Sequence, residues 1–456
     1  MSATAIANQS ACGGDMIGAL WMSLTEDFLG HARTTPERLA KLLTADPHHV
    51  LGWCAKGFFS ILLARREMQA PADEALRMAR RALMLRGGTR RERDYVLALG
   101  EAASGHFAKA AVALDLIQEA DPDDSFAPKL SHALRFMLGD SRSMHAAIHA
   151  AVARIDPAHP HLGYLMGCQA FALEENGRYA DAERIGREAV LRAPRDAWGV
   201  HAVAHVHEMT GQARAGVEWL TTHEGNIGHC NNFGGHVFWH LALFRLELGD
   251  AAGALALYDS RVRAERTEDF RDIANAASLL GRLAIEGVVV GDRWEELADI
   301  AERRISDHSL VFAELHYALA LAGAGRSDKA AALADALEAA EGSREQDHLA
   351  RAIGATMADA IRAWGQGEHA RAAAELLATR SQRQRIGGSH AQRDIFEQIT
   401  IDALIKSGRR DEARMLLGER LAARSRNRFA EQRLSSAFAV RRPISGSAGV
   451  ALSAGY

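Results

Sequence analysis

Residues 105–122, GHFAKAAVALDLIQEADP, and residues 177–194, GRYADAERIGREAVLRAP, follow one pattern that decides the fold. In each segment an alanine lies five positions after the first glycine, and a proline lies twelve positions after that alanine. Small and apolar residues recur between the alanine and the proline at helical spacing. Each segment therefore predicts an amphipathic helix that begins after a turn glycine and ends before a proline.

Weaker copies of the same unit occur along most of the chain, after Gly139, Gly211, Gly249, Gly291, Gly325, Gly367 and Gly408. Successive glycines of the whole set lie 34, 38, 34, 38, 42, 34, 42 and 41 residues apart. The tetratricopeptide hairpin repeats about every 34 residues. Because such hairpins bury their apolar faces only by stacking on one another, we expect one superhelix of about ten hairpins. A hairpin around residues 71–85 is expected to open this array.

The composition favours an all-α fold. Only nine of the 456 residues are proline and 6% are aromatic, and runs of Ala, Leu, Glu and Arg favour helix over strand. We expect a flexible N-terminus over residues 1–15 and a single tetratricopeptide-like domain over residues 16–425. A loosely docked tail is expected over residues 426–456, which are rich in Gly and Ser towards their end.

Charge and sequence patterns exclude several classes of protein. The formal charge is −4, from 54 Lys and Arg against 58 Asp and Glu, so the basic footprint of a nucleic-acid binder is missing. The longest stretch without Asp, Glu, Lys or Arg, residues 225–244, contains His, Asn and Gly, which argues against a membrane span. The four cysteines form no C-x-x-C pair, and no secretory signal is readable at the N-terminus. We therefore expect a cytoplasmic protein, and oligomers are possible.

In such an array the first helix of each hairpin lines the concave side of the superhelix. The first helix predicted over residues 197–209, AWGVHAVAHVHEM, is unusually polar for that position. His201, His205 and Glu208 recur at i, i+4 and i+7. This spacing places all three side chains on one face of the helix.

The next concave helix, residues 234–248, GGHVFWHLALFRLEL, carries a second pair of histidines at i and i+4, His236 and His240, with Trp239 between them. Two neutral imidazoles one helical turn apart can hold a divalent transition metal such as zinc. The four histidines therefore predict a metal site, and Glu208 could be a ligand or a general base. The alternative is that these histidines only donate hydrogen bonds across helix interfaces.

Other polar residues are candidates for substrate binding. His316 lies nine residues before Gly325, as His240 does before Gly249, although a core histidine is an alternative interpretation. Cys230 beside His229 could form a thiolate–imidazole pair, but its role and that of His390 stay open. Ser389 and Gln392 fit a helix capping box. The full set predicted to contact a substrate is Trp239, His316, His132, Arg393, Asp394, Asn231 and Asn232.

Seven blocks of this sequence resemble the tetratricopeptide repeat protein 38 family. They are TRRERDYV, KLSHALRFMLG, DAWGVHAVAHVHEM, HVFWHLALF, EGVVVGDRWEEL, DHSLVFAELHYALA and GGSHAQRD. The resemblance is nearly chain-long and implies a tetratricopeptide superhelix, but no established reaction. His390 stands where family members can have Asn, and GHCNN lies outside the family motif. The residues that match positions of the family pattern are His132, His201, His205, Glu208, His236, Trp239, His240, His316, Arg393 and Asp394.

Two functions are compatible with these patterns. In the first, the superhelix encloses a small-molecule ligand, and the His and Glu residues hydrolyse an amide or ester, either through a metal or as acid and base. In the second, the protein is an adaptor whose concave groove binds a peptide of a partner protein. The unusual polarity is concentrated on two neighbouring helices, which favours a pocket and makes the hydrolase or small-molecule binder the leading interpretation.

Overall fold

The computed structural model describes residues 3–437 of the chain, with the side chains of residues 16–435. The regular secondary structure of this part is helical, with one isolated β-bridge between Ala32 and Cys230. The helices of the first half are α1 (Ala3–Leu29), α2 (Thr35–Ala45), α3 (Val50–Leu62), α4 (Gln69–Arg86), α5 (Arg90–Ala103), α6 (Phe107–Ala120), α7 (Phe126–Leu138), α8 (Ser141–Arg154), α9 (Leu162–Glu174), α10 (Tyr179–Arg192), α11 (Ala197–Met209), α12 (Ala213–Thr222) and α13 (Glu224–Ile227). Those of the second half are α14 (Phe233–Glu247), α15 (Ala251–Leu257), α16 (Phe270–Ile285), α17 (Arg293–Arg303), α18 (Val311–Gly323), α19 (Ser327–Glu338), α20 (Glu345–Leu349), α21 (Ala355–Gly365), α22 (His369–Thr379), α23 (His390–Lys406), α24 (Arg410–Ala423) and α25 (Arg428–Ala437). Short 3-10 helices cover Arg66–Met68 and Arg380–Ile386, and π-helical turns cover Tyr258–Val262 and Ala350–Gly354.

Most of these helices form antiparallel hairpins, as the repeat predicts. The first helices of the hairpins are α3, α5, α7, α9, α11, α14, α16, α18, α21 and α23, and each packs against its second helix, α4, α6, α8, α10, α12, α15, α17, α19, α22 and α24. First helices of successive hairpins also pack together, for example α9 with α11 and α16 with α18. The expectation of an all-α solenoid of about ten hairpins is therefore confirmed within the described residues.

The turn glycines have the left-handed backbone that the repeat requires, because all nine predicted positions have positive φ. One assignment needs correction. In the hairpin of α16 and α17 the turn glycine is Gly287, which lies two residues after the end of α16 and has a φ of 81°. Gly291, the predicted glycine, also has positive φ but lies in the longer loop that leads into α17. When Gly287 is counted as the turn glycine instead of Gly291, the turn glycines before and after it, Gly249 and Gly325, are each 38 residues away.

The first hairpin also differs from its prediction. Residues 71–85 lie within the single helix α4, which pairs with α3 rather than forming a hairpin by itself. The turn between α3 and α4 contains Ala64 at a φ of 45° instead of a glycine. The glycine pattern could not indicate this hairpin, because a non-glycine residue occupies the left-handed position.

The superhelix closes on itself, so that helices distant in the sequence meet. The last first helix, α23, packs against α22 and also against α16 and α11. The Glu345 carboxylate accepts hydrogen bonds from the backbone N–H groups of Phe107 and Ala108, at 2.8 and 3.1 Å. This closure encloses the concave side between α11, α14, α16 and α23.

The ends of the chain were expected to be flexible or loosely docked. Helix α1 covers residues 3–15 of the predicted flexible N-terminus. Helix α25 lies inside the predicted tail, with Phe429 and Ala430 buried, while residues 438–456 lie outside the described part. Among the helices that the structure describes, none has the length and apolar character that crossing a bilayer requires.

Candidate functional site

Helix α11 presents one polar face to the centre of the molecule. Its start is fixed by Asp196, whose carboxylate accepts a hydrogen bond from the backbone N–H of Gly199 at 3.0 Å. Val200 and Val203 pack into the apolar core on the other faces. His201 and His205 therefore point together towards α14, as their spacing predicts.

The four histidines of α11 and α14 meet in one buried cluster, which we call the histidine cluster: His201, His205, His236 and His240. His201 Nε2 lies 3.0 Å from His236 Nε2 and 2.9 Å from His205 Nε2. His240 Nε2 is buried with no hydrogen-bond partner among the described residues, and its ring centre lies 4.4 Å from that of His205. Each of the four residues offers a ligand atom within 4.8 Å of the others.

Two of the four rings are oriented by hydrogen-bond acceptors at Nδ1, one on α16 and one on α11. His236 Nδ1 lies 2.9 Å from Asn275 Oδ1 on α16. His240 Nδ1 lies 3.0 Å from Glu208 Oε2 on α11. His205 Nδ1 lies 3.4 Å from Glu174 Oε2 on α9, but no hydrogen bond joins them. Carboxylates and carbonyl oxygens hold metal-ligating histidines in the same way.

These contacts fix where the imidazole protons lie. An Nδ1 that donates to an oxygen acceptor leaves Nε2 with a bare lone pair, because a neutral imidazole carries one proton. His236 and His240 therefore turn lone pairs inward. The Nε2 of His201 carries either a proton or a lone pair, so it cannot donate to His236 and also accept from His205, although it lies 3.0 and 2.9 Å from their Nε2 atoms. A cation shared by these nitrogens would satisfy both contacts.

The environment keeps the rings neutral. Burial, followed by the charges of neighbouring histidines, lowers the pKa of His201 and of His236 well below the usual value. Burial likewise lowers the pKa of His240 to about 4. Neutral imidazole is the form that binds transition metals.

The two carboxylates at the cluster differ in pKa. Burial by itself would raise the pKa of Glu208, but the hydrogen bond from His240 and the charge of Arg424 lower it below the usual value. Burial, followed by the charge of Glu175, raises the pKa of Glu174 well above the usual value. Glu208 is therefore the carboxylate that is charged at neutral pH.

A second group of possible ligands lies beside the cluster and contains Glu174, Glu175 and His390. Glu175 Oε1 accepts a hydrogen bond from the backbone N–H of His390 at 2.7 Å, and Arg393 donates to Glu175 Oε2 at 3.2 Å. Glu175 thus has its partners within the protein. It links α23 to the end of α9 and so supports the wall of the histidine cluster.

A cavity of about 390 Å³ lies next to the histidine cluster, on the other side of Glu208. Its walls come from α11, α14, α16, α23 and the segment between α24 and α25. Of the predicted site residues, Glu208 and Asp394 line it. This volume falls within the range of about 300–1,000 Å³ that is typical of small-molecule sites.

The other predicted substrate-binding residues are placed elsewhere. Trp239 is fully buried and donates a hydrogen bond from Nε1 to Ser278 at 3.1 Å. His316 is also fully buried, and its Nδ1 lies 2.7 Å from the Phe312 carbonyl oxygen, which matches the alternative of a core histidine. His132 packs edge-on against Phe171 with a ring-centre distance of 5.9 Å. None of these three is among the residues that line the cavity next to Glu208.

The loop before α14 and the start of α23 also contain predicted residues. Asn231 Oδ1 accepts a hydrogen bond from the Phe233 N–H at 3.0 Å, and Asn232 donates to Asp272 at 3.2 Å. Both asparagines therefore serve the local structure of the loop. Ser389 and Gln392 form the capping box that starts α23, as the sequence predicts.

Cys230 has the environment of a structural thiol. Burial raises its pKa to about 12, so the thiolate that a nucleophile requires is not populated at neutral pH. Its Sγ lies 3.9 Å from His229 Nε2, and that nitrogen is also 2.9 Å from the Gly30 carbonyl oxygen.

Sequence reasoning missed Glu174, Asn275, Arg282 and Arg424. Glu174 and Asn275 are polar residues on first helices, the same signal that identified His201 and His236. Arg282 lies about two helical turns after Asn275 on α16. Arg424 follows α24, and no repeat pattern places that segment beside α11.

The comparisons with known proteins leave the family open, since no family model matches the chain. Among solved structures, the chain is similar to one described as Naa15/Naa10 bound to HypK-THB, with 12% sequence identity and a TM-score of 0.25. The match covers 92% of this chain, which spans 66% of the length of that chain. The helix packing described above identifies the protein as a tetratricopeptide-like helical repeat protein.

Proposed function

We propose that this protein binds one divalent transition-metal ion, of the zinc class, through the Nε2 atoms of the histidine cluster. The observation that carries the proposal is the convergence of four buried imidazoles, two of which have Nδ1 hydrogen-bonded to an oxygen acceptor of another side chain. Such a donor set is typical of transition-metal sites and unlike those of calcium or magnesium, which prefer oxygen ligands.

The distances in the cluster fit a metal after a small adjustment. Zinc–nitrogen bonds of about 2.0–2.1 Å in a tetrahedron separate the ligand nitrogens by about 3.3 Å. The two closest Nε2–Nε2 contacts are 2.9 and 3.0 Å. These two pairs need to move apart by a few tenths of an ångström, and the wider pairs of the cluster, which are up to 4.8 Å apart, need to move closer.

Metal analysis of the untagged protein tests this proposal. We expect about one equivalent of metal in the wild type and much less in His205→Ala or His236→Asn. His316→Ala is the matched control, because His316 is an equally buried histidine on a first helix outside the cluster. Wild-type protein that holds no stoichiometric metal after incubation with zinc and desalting would contradict the proposal.

The hydrolysis of an amide or ester is the further step of this proposal, and it depends on the coordination number. Four imidazoles complete a tetrahedral set, which is typical of structural sites, whereas hydrolytic sites keep one position for water. Hydrolysis therefore requires a fifth position or the release of one histidine, with Glu208 as the base. Protein with cobalt in place of zinc distinguishes a closed structural site from a site with a free coordination position. Azide should change the visible spectrum of the cobalt protein only if such a position is free.

A protein-binding adaptor is the second candidate function. Large apolar side chains are exposed on the hairpin of α5 and α6, among them Leu97, Val112 and Leu116, which are 67%, 54% and 57% exposed. Exposed apolar groups of this kind are typical of binding surfaces when they form a patch. Peptides selected on the protein from a displayed library should lose affinity for Leu97→Asp if this hairpin is the interface, and keep it for Leu191→Asp on α10.

Membership of the tetratricopeptide repeat protein 38 family is part of this proposal as well. It rests on the seven sequence blocks, of which DAWGVHAVAHVHEM and HVFWHLALF supply the histidine cluster. An alignment of homologues that keeps all four histidines together would support a shared metal site.

A further inference from the structure

The cavity beside Glu208 has a surplus of positive charge. Six arginines line it against four carboxylates. Several of these arginines are used by the fold: Arg420 donates to Asp394, and Arg282 donates to the carbonyl oxygens of Ser278 and Ala391. The residues of the lining that matter for a ligand are those whose hydrogen-bonding capacity is unused.

Among the buried arginines that line the cavity, Arg424 is the one without a hydrogen bond to the described residues. It is only 8% exposed. The two nearest acceptors, Glu208 Oε1 and Asp394 Oδ1, are each 3.8 Å away. Both carboxylates already have closer partners, since Glu208 holds His240 and Asp394 holds Arg420. The N–H groups of the Arg424 guanidinium are therefore available to a ligand in the cavity.

The cavity also has apolar lining. Leu243, Phe244 and Phe429 line it and are buried. A ligand that fills the cavity therefore meets both a cationic group and an aliphatic and aromatic surface. This combination matches an amphipathic acid.

We propose that the cavity binds the oxyanion group of a small amphipathic acid, a carboxylate or a phosphate, with Arg424 as its bidentate partner. Guanidinium matches both groups with two parallel N–H donors. The apolar part of the ligand lies against Leu243, Phe244 and Phe429. The site is separate from the proposed metal ligands, because none of the four cluster histidines lines the cavity.

Calorimetric titration with four probes of equal chain length tests the proposal: octanoate, octyl phosphate, octanol and octylammonium. We expect octanoate or octyl phosphate to bind at least tenfold more tightly than octanol, and the stronger of the two identifies the oxyanion. Octylammonium should bind more weakly than octanol. Equal affinity of octanol and both anions would overturn the proposal.

The variants assign the effect to Arg424. Arg424→Gln should lower the affinity for the preferred anion at least tenfold, to that of octanol, and Arg424→Lys should lose part of it because an ammonium lacks the paired donors. Arg192→Gln, an exposed position on α10 that pairs with Glu188, is the matched control and should bind as the wild type does. Unchanged affinity of Arg424→Gln would contradict the role of Arg424.

A measurement on the wild-type protein covers the case in which Arg424→Gln does not fold. Phenylglyoxal modifies accessible arginines, and mass spectrometry reports the rate at each one. The preferred anion should slow the modification of Arg424 and leave that of Arg192 unchanged. If Arg424 is modified at the same rate with and without the anion, the proposal is overturned. Chelator-treated protein should bind the anion with the wild-type affinity, so that the metal proposal and this one can fail separately.

Discussion

Glu208 joins the histidine cluster to the wall of the cavity. It accepts a hydrogen bond from His240 Nδ1 at 3.0 Å and is one of the two carboxylates nearest to Arg424. Carboxylates that hold the second nitrogen of a ligating histidine raise its basicity, and their loss typically lowers metal affinity about 10–100-fold. We expect Glu208→Gln to weaken zinc binding by this factor while the fold is retained.

Competition with a chromophoric chelator measures this effect. Glu286→Gln is the control, because Glu286 lines the same cavity but pairs with Arg428 and Arg433 instead of a cluster histidine. Equal zinc affinity of Glu208→Gln and the wild type would show that Glu208 does not act on the metal through His240.

Glu314 on α18 makes the stability of the protein depend on pH. Burial, and next the charge of Asp307, raises its pKa to about 8; the backbone hydrogen bond from His308 and the charge of Arg344 lower it, and the charge of Asp347 raises it. In the unfolded chain a glutamate titrates near 4.3, so between about pH 4.3 and 8 only the unfolded state releases the proton. The free energy of unfolding therefore falls as pH rises through this window, and Glu314 destabilises the fold most above pH 8.

The expected result is that Glu314→Gln raises the thermal midpoint at pH 8.5 relative to the wild type, on the order of a few degrees. The difference should shrink towards pH 5, because ionisation stabilises the unfolded state only slightly when the pH is close to its pKa near 4.3. Circular dichroism at both pH values measures it, with the exposed Glu338→Gln as control. A difference that does not vary with pH would contradict the raised pKa.

At the scale of the element, substitutions at two turn glycines distinguish the cost of backbone strain from the cost of a steric clash. Gly139 and Gly177 both have positive φ, 67° and 74°. A Cβ at Gly177 would meet no atom within 4 Å, whereas a Cβ at Gly139 would overlap the carbonyl oxygen of Gln384. A left-handed non-glycine residue costs about 1–2 kcal/mol, and Gly139→Ala must in addition displace the segment after α22.

We therefore expect Gly177→Ala to lower the free energy of unfolding by about 1 kcal/mol. Gly139→Ala should lower it by at least twice as much. Chemical denaturation of both variants and the wild type provides the comparison. Equal losses would show that the contact between Gly139 and Gln384 has no energetic role.

The helices were largely predictable from the sequence, because apolar residues recur at helical spacing when one face of a helix is buried. The i, i+4 spacing placed His201 with His205 and His236 with His240, and the repeat placed the two pairs on adjacent helices. The hairpin of α3 and α4 was mispredicted because Ala64 occupies its left-handed turn position. Gly287 was missed because the sequence has a second glycine, Gly291, four residues later.

At the scale of the whole molecule, the sequence did not predict how the superhelix closes. Glu345 meets the start of α6 across 238 residues, and no local pattern specifies a contact of that separation. The contacts of α23 with α11 and α16 enclose the histidine cluster, so its burial is also a property of the closed superhelix. For the same reason, Arg424 could not be assigned to the cavity beside Glu208.

The proposed metal ties four first helices together, because α11 and α14 supply its ligands while α9 and α16 supply Glu174 and Asn275. A ligand that binds only the folded state stabilises it by about 2.7 kcal/mol at a concentration one hundred times its Kd. We therefore expect removal of the metal to lower the thermal midpoint and to speed amide hydrogen exchange in these four helices. Exchange in α5 and α6, which lie outside the cluster, should change least. In His205→Ala, chelator should have no effect on either measurement, and an equal response of this variant and the wild type would place the metal elsewhere.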